Sequence, residues 1–199
     1  MQVYDWEKIQ FLSSHSFICG YCGNPLASER GWHASGIFDK KIQRYIYICH
    51  HCEKPTFFDE EDVQTPGATF GNTVSDIPEK DVELLYEEAR KCTASGCFTG
   101  AVLCCRKLLM HIAVSKKAKP GASFVEYVEY LIDNHYVPPD SKDWVDHIRK
   151  KGNEANHEIC IMSSDEAKEL LSFIEMILKF LYEFPARIRK KQNLSTTNP

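Results

Sequence analysis

Three things are missing from this chain, and each absence removes a class of function. The first eight residues, Met1-Gln2-Val3-Tyr4-Asp5-Trp6-Glu7-Lys8, hold no basic segment running into an apolar one, so no secretory leader is expected. No stretch reads as the roughly 20 apolar residues that a membrane-spanning helix needs, and no membrane partner is expected. Positive charge is not in excess: the formal net charge is -4, which excludes a surface that coats DNA indiscriminately while leaving room for a local basic patch. The cysteine count is odd, nine, so complete pairing into disulfides is excluded, and a cytoplasmic, reducing setting is expected.

What is present divides in two. The 199 residues suffice for one medium domain or for a small module joined to a helical one. Four cysteines form two pairs, Cys19-Gly20-Tyr21-Cys22 and Cys49-His50-His51-Cys52, with 26 residues between them. The other five, Cys92, Cys97, Cys104, Cys105 and Cys160, are scattered through sequence of helical character and read as small, buried core residues.

Each Cys-x2-Cys turn can present two thiolates to one tetrahedral ion at about 2.3 Å. Between the pairs lie two aromatic and β-branched runs, residues 32–38 and 44–48, separated by Asp39-Lys40-Lys41; they read as antiparallel strands, and residues 55–58 as a third. A hairpin in the spacer would bring the two turns together. Gly23 suits the positive φ that a metal-binding turn often requires. The pattern resembles zinc ribbons, which implies one structural Zn2+ per chain on Cys19, Cys22, Cys49 and Cys52, with no coordination position left for substrate. A redox dithiol is the competing reading, but such motifs usually occur singly at a helix start. His50 and His51, held inside one turn, are expected to point outward. The ribbon is assigned to residues 1–62, and the stretch 63–76, with Pro66, Gly67, Gly71 and Asn72 and no apolar period, to a linker.

Helical signals follow. Asp76 with Glu79 forms a capping-box pattern ahead of Val82, Leu85, Tyr86 and Ala89, with Gly96 as the stop. A second helix is expected over 99–117, and Ser123 with Glu126 boxes the start of a third. Asp140 and Asp143 open a fourth that reaches Arg149-Lys150-Lys151-Gly152. A fifth starts after Ser163-Ser164-Asp165 and ends near Phe184, with Leu170, Phe173, Ile174, Ile177, Leu181 and Phe184 in one stripe. Residues 187–199, opening with Arg187, Arg189, Lys190 and Lys191, are expected to be a disordered basic tail. The fold class is therefore mostly α: a bundle of about five helices, residues 77–186, behind a small antiparallel β ribbon.

Two polar features interrupt the helical pattern. Arg106 borders the apolar face of the second helix, either snorkelling from its rim or paired with acids of the Asn153-Glu154-Ala155-Asn156-His157-Glu158 stretch. Arg149 to Lys151 run into Gly152 and Asn153, poor helix formers, with His157 just beyond. The set Pro78, Tyr86-Glu87-Glu88-Ala89, Gly96, Ala101, Arg106, Leu109 and residues 149–158 resembles a widespread bacterial domain of unknown function. That family is often encoded beside restriction and phage-defence genes, sometimes carries an N-terminal zinc ribbon, and looks related to the HEPN superfamily of helical bundles.

The resemblance implies a homodimer, RNA or DNA as partner, and a defence-system protein as a second partner. HEPN ribonucleases place an arginine and a histidine from each subunit at a shared cleft and cleave RNA without metal. Asn153 and His157 match the polar residue and histidine of that motif; Gly152 stands where its arginine would be, leaving Arg149 as the substitute, and Met110 stands where a glutamate is usual. Three roles are open for this stretch: a hydrogen-bond network fixing a bend, nucleic-acid binding by Arg149, Lys150 and Lys151, or catalysis by Arg149, Asn153 and His157. The leading expectation is a nucleic-acid-associated accessory or regulatory protein of phage defence. An endoribonuclease is the alternative, and a protein-interaction module without nucleic-acid contact the second.

Overall fold

The computed structural model describes residues 6–41, 43–137 and 161–196, and the chain divides into two units, Met1–Thr69 with Ala94–Gly96 and Phe70–Thr93 with Cys97–Pro199.

The first unit is an antiparallel meander in the order β1 (Gln10–Ile18), β2 (Pro25–Ser35), β3 (Gln43–Ile48), β4 (Pro55–Phe58) and β5 (Gln64–Thr65). The expected hairpin is β2 and β3, with Trp32 opposite Ile46 and His33 opposite Tyr45. β1 was not legible: Ser13, Ser14, His15 and Ser16 give it little apolar alternation, and its extended form comes from pairing with β2, across an irregularity between Phe11 and His15. Gly31 is required where β2 meets β3, since a Cβ there would lie 1.8 Å from the Ile46 carbonyl oxygen.

One face of the sheet gathers Phe17, Leu26, Tyr47 and Phe58 with Cys19 and Cys49. His15 stacks on Tyr47 at 5.2 Å and meets Phe58 edge-on at 4.4 Å. Fully buried side chains of this size contribute about 1.5–3 kcal/mol each, and ordering the backbone costs about 1–2 kcal/mol per residue. So small a core needs a second source of stability.

The second unit is helical: α1 (Lys80–Ala94), α2 (Phe98–Ser115), α3 (Phe124–Asp133), and α4 (Ser164–Leu178), which continues through a π-helical segment (Lys179–Glu183) into α5 (Phe184–Thr196). Among the described residues these make four helical rods, so the expectation of a mostly α chain with about five helices is met in part: a five-stranded sheet fills the first unit, and the helix expected from Asp140 lies outside the described residues. The capping boxes at Ser123 with Glu126 and at Ser163 with Glu166 are both formed. The one expected at Asp76 is not. Asp76 takes φ +62°, and its carboxylate accepts from Ser75 and pairs with Lys190 at 2.6 Å.

α2 is the middle of the core, packed against α3 and α4 through Cys105, Leu108, Leu109 and Ile112. By length and apolarity alone it would suffice to cross a membrane, contrary to the sequence expectation, and eight of its residues are buried within this unit. Tyr86, Val128, Leu131, Leu171, Phe173, Ile174 and Ile177 complete the interior.

The π-helical segment changes which residues face inward. Its wider turn shifts the register of everything after Leu178. Glu183 and Ala186 are buried, whereas Phe184, expected on the core stripe, is half exposed. The helix also runs on to Thr196, so residues 187–196 are helical where a disordered tail was expected. Ion pairs hold its first turns: Arg187 to Glu183 and Lys190 to Asp76.

The stretch expected as a linker is divided between the units. Gln64–Thr65 pairs as β5. Residues 70–76 are tied to the helical unit by side-chain hydrogen bonds. Arg90 donates to the carbonyls of Phe70 at 3.2 Å and Gly71 at 2.9 Å, and Tyr86 donates to that of Asn72 at 2.7 Å. Asn72 donates through its amide N–H and its Nδ2 to Glu175 at 2.8 and 2.9 Å, and the Ser75 N–H donates to Glu183 at 3.0 Å. These partners satisfy backbone groups that no apolar period announces.

Candidate metal centre

Two turns of the same construction carry the four cysteines. In the first, the Cys19 N–H donates to the Asn24 carbonyl at 3.0 Å and the Gly23 N–H to the Cys19 carbonyl at 2.8 Å. In the second, Cys49 donates to Lys54 at 3.0 Å and Glu53 to Cys49 at 2.8 Å. Each turn closes on a left-handed residue, Gly23 at φ +72° and Glu53 at φ +55°, and two residues further on comes the proline that opens a strand, Pro25 or Pro55. The sequence carries this repeat as Cys-x2-Cys-x2-Pro, a signal not used above that would have placed the starts of β2 and β4.

The antiparallel sheet brings the turns together. Cys19 Sγ lies 3.7 Å from Cys52 Sγ and Cys22 Sγ 3.8 Å from Cys49 Sγ, and all four sulfurs fall within 4.8 Å of one another. Four sulfurs each about 2.3 Å from a central ion sit about 3.8 Å apart at tetrahedral angles. The cage therefore fits a four-coordinate metal ion.

Surrounding donors favour ionised sulfur. The Tyr21 N–H points to Cys19 Sγ at 3.4 Å, the His51 N–H to Cys49 Sγ at 3.4 Å, and Asn24 Nδ2 to Cys22 Sγ at 3.5 Å. Burial opposes ionisation of Cys22, yet hydrogen bonds from the Asn24 N–H and from Cys19 bring it down to about 7. Burial pushes Cys52 up to about 12 and also raises Cys19. Cys19 and Cys52 keep their protons near neutral pH without a cation; a metal ion would supply the charge that lets them ionise. His50 and His51 are exposed, as expected, with ring centroids 4.3 Å apart. Four cysteine ligands would complete a tetrahedron and leave no coordination position for a substrate.

Of the other sequence-derived candidates, Arg149, Lys150, Lys151, Asn153 and His157 lie outside the described residues, as does Cys160. Arg106 is described. It is buried, and its guanidinium lies over the Phe124 ring at 4.3 Å, with burial lowering its pKa. Met110 packs against the main helical core. The scattered cysteines are not uniformly buried: Cys105 is, Cys92 and Cys104 are half-buried, and Cys97 is exposed.

Among known proteins, a family model described as a domain of unknown function, DUF4145, matches residues 87–196, more than half of the chain. The match lies in the helical part and leaves out the four-cysteine module. No curated protein and no solved structure matches the chain.

Proposed function

We infer, for a chain that belongs to the DUF4145 family of domains of unknown function, that it is a nucleic-acid-associated accessory or regulatory protein whose ribbon is folded by zinc. The observation that carries this reading is the segregation of positive charge. In a chain of net charge -4, Arg187, Arg189, Lys190 and Lys191 stand exposed in sequence on α5. Cations collected on one helix form the local field that a phosphate backbone meets, without a generally basic protein. Arg149, Lys150 and Lys151 add a second cationic run within the family-matched segment.

Zinc is the proposed ion because four thiolates at tetrahedral spacing are its usual structural ligand set. Its role is to hold the ribbon together, since the donor set is complete without substrate. A homodimer is proposed from α5 and the turn before it: Phe180, Phe184 and Ile188, spaced by four, are 45%, 46% and 58% exposed and form an apolar stripe beside the cations. The relation to HEPN bundles and the setting in bacterial phage defence rest on the sequence resemblance, and the cytoplasmic location on the sequence reading of the odd cysteine count.

Fluorescence anisotropy with single-stranded RNA and duplex DNA across a salt series tests the reading. Affinity should fall steeply with salt, and Arg189→Glu with Lys191→Glu should weaken binding to both polymers and flatten the salt slope. Binding indifferent to these changes removes the reading in favour of a protein-interaction module. RNA cleavage in chelator that leaves 2′,3′-cyclic phosphate ends and disappears in His157→Ala would replace it with an endoribonuclease.

A further inference from the structure

Away from the metal centre, three thiols meet where α1 hands over to α2. α1 ends in a Schellman turn: Gly96 takes φ +70° and the Cys97 N–H donates to the Cys92 carbonyl at 2.8 Å. This turn brings together the side chains of a residue in the last helical turn and of the residue after the glycine, positions ordinarily filled by an apolar pair. Here both are cysteines. The first turn of α2 makes room for them. A Cβ at Gly100 would lie 2.7 Å from Cys97 Sγ and 3.5 Å from Cys92 Sγ, so the two sulfurs converge over a bare backbone. The two thiols are close enough to add to burial in raising the pKa of Cys92, and Cys104, one turn beyond Gly100, lies near enough to do the same.

We propose that Cys92 and Cys97 are an oxidisable dithiol, a site of reversible disulfide formation that takes a hydroperoxide as its oxidant. The order of events follows from exposure. Cys97 is open to solvent, whereas Cys92 and Cys104 are half-buried and Cys105 is buried. Burial, helped by the neighbouring thiols, pushes Cys92 up to about 11, and burial also raises Cys104, so both keep their protons at neutral pH.

The Cys97 thiolate attacks one peroxide oxygen. The O–O bond breaks, the other oxygen leaves with the electron pair and is protonated, and Cys97 becomes a sulfenic acid. Cys92 sulfur then attacks Cys97 sulfur; the S–O bond breaks, the Cys92 proton goes to the departing oxygen, and water leaves. One peroxide is reduced and two thiols are oxidised to one disulfide, which staples the end of α1 to the start of α2. A thiol reductant reverses the step.

The test uses the full, metal-loaded chain, treated with hydrogen peroxide, blocked with iodoacetamide and digested with trypsin and chymotrypsin. Cleavage after Lys91, Phe98 and Arg106 isolates residues 92–98 from the segment holding Cys104 and Cys105. The 92–98 peptide should appear unalkylated and lighter by two hydrogens. It should become doubly alkylated after dithiothreitol, be unaffected by Cys104→Ser, and be lost in Cys97→Ser. Double alkylation without reductant, a cross-link to the 99–106 peptide, or sulfinic acid at Cys97 in place of the internal disulfide would each overturn the proposal.

Discussion

Gly23 and Glu53 occupy the same place in the two cysteine turns, each donating its N–H to the carbonyl of the turn's first cysteine at 2.8 Å from a left-handed backbone. One position is filled by the residue suited to that conformation and the other is not. Glu53 pairs through Oε1 with Arg30 at 3.5 Å, its Oε2 is buried with no hydrogen-bond partner among the described residues, and its backbone carbonyl accepts from Trp6 Nε1 at 3.1 Å.

The two positions should respond oppositely to substitution. A Cβ at Gly23 meets nothing within 4 Å, so Gly23→Ala carries only the conformational cost, about 1 kcal/mol. Glu53→Gly relieves that cost while losing a partly exposed ion pair, and should leave the ribbon more stable by about 0.5 kcal/mol. Chelator-competition titrations of the two variants read the difference; equal shifts of the same sign would contradict the equivalence of the turns.

One metal ion per chain should be found by elemental analysis, and cobalt substitution should give the absorption bands of a tetrahedral thiolate site. Affinity must fall as pH falls. Bound metal holds the cysteines ionised, below their unfolded pKa, so the stability it confers is present at neutral pH and lost as protons reclaim the sulfurs. Cys52, which burial pushes up to about 12, would give its proton to solvent when a metal ion takes its place on the sulfur. Release of metal on raising rather than lowering pH, across about pH 5 to 8, would contradict the four-thiolate site.

In the helical unit, Tyr86→Phe should cost about 1 kcal/mol in urea denaturation. The hydroxyl donates to the Asn72 carbonyl at 2.7 Å and is the group that ties residue 72 to α1. An unchanged midpoint would mean that the 70–76 segment is held without it.

The exposed stripe on the last helix gives a test of assembly. Phe184→Glu together with Ile188→Glu should shift sedimentation from dimer to monomer, with the helical circular-dichroism signal intact, because neither side chain is buried in the core. A wild-type chain that sediments as a monomer at every concentration would remove the dimer.

Much of the local structure was legible. Ser123 with Glu126, Ser163 with Glu166, and Gly96 after α1 are start and stop signals that act over a few residues, and the structure uses them. β1 went unread, and Asp76, Phe184 and residues 187–196 were misread. The polar strand β1 is set by β2 and Asp76 by Lys190, partners outside the local pattern, whereas Phe184 is turned outward by the register shift at Lys179–Glu183 just before it, which no apolar period announces. Arg106 falls between the two cases, its burial hinted at by its place on α2 and its Phe124 platform supplied by α3.

The sequence by itself determined the metal-ligand set, because two Cys-x2-Cys turns carry their own backbone hydrogen bonds and need only to be brought together. It also determined the helix ends, where capping is a local exchange between neighbouring side chains and amides. Only the tertiary structure decided that the four sulfurs converge and which face of the last helix turns inward. Those outcomes depend on pairing and packing between distant segments, and close packing in three dimensions is not encoded in the spacing of any one of them.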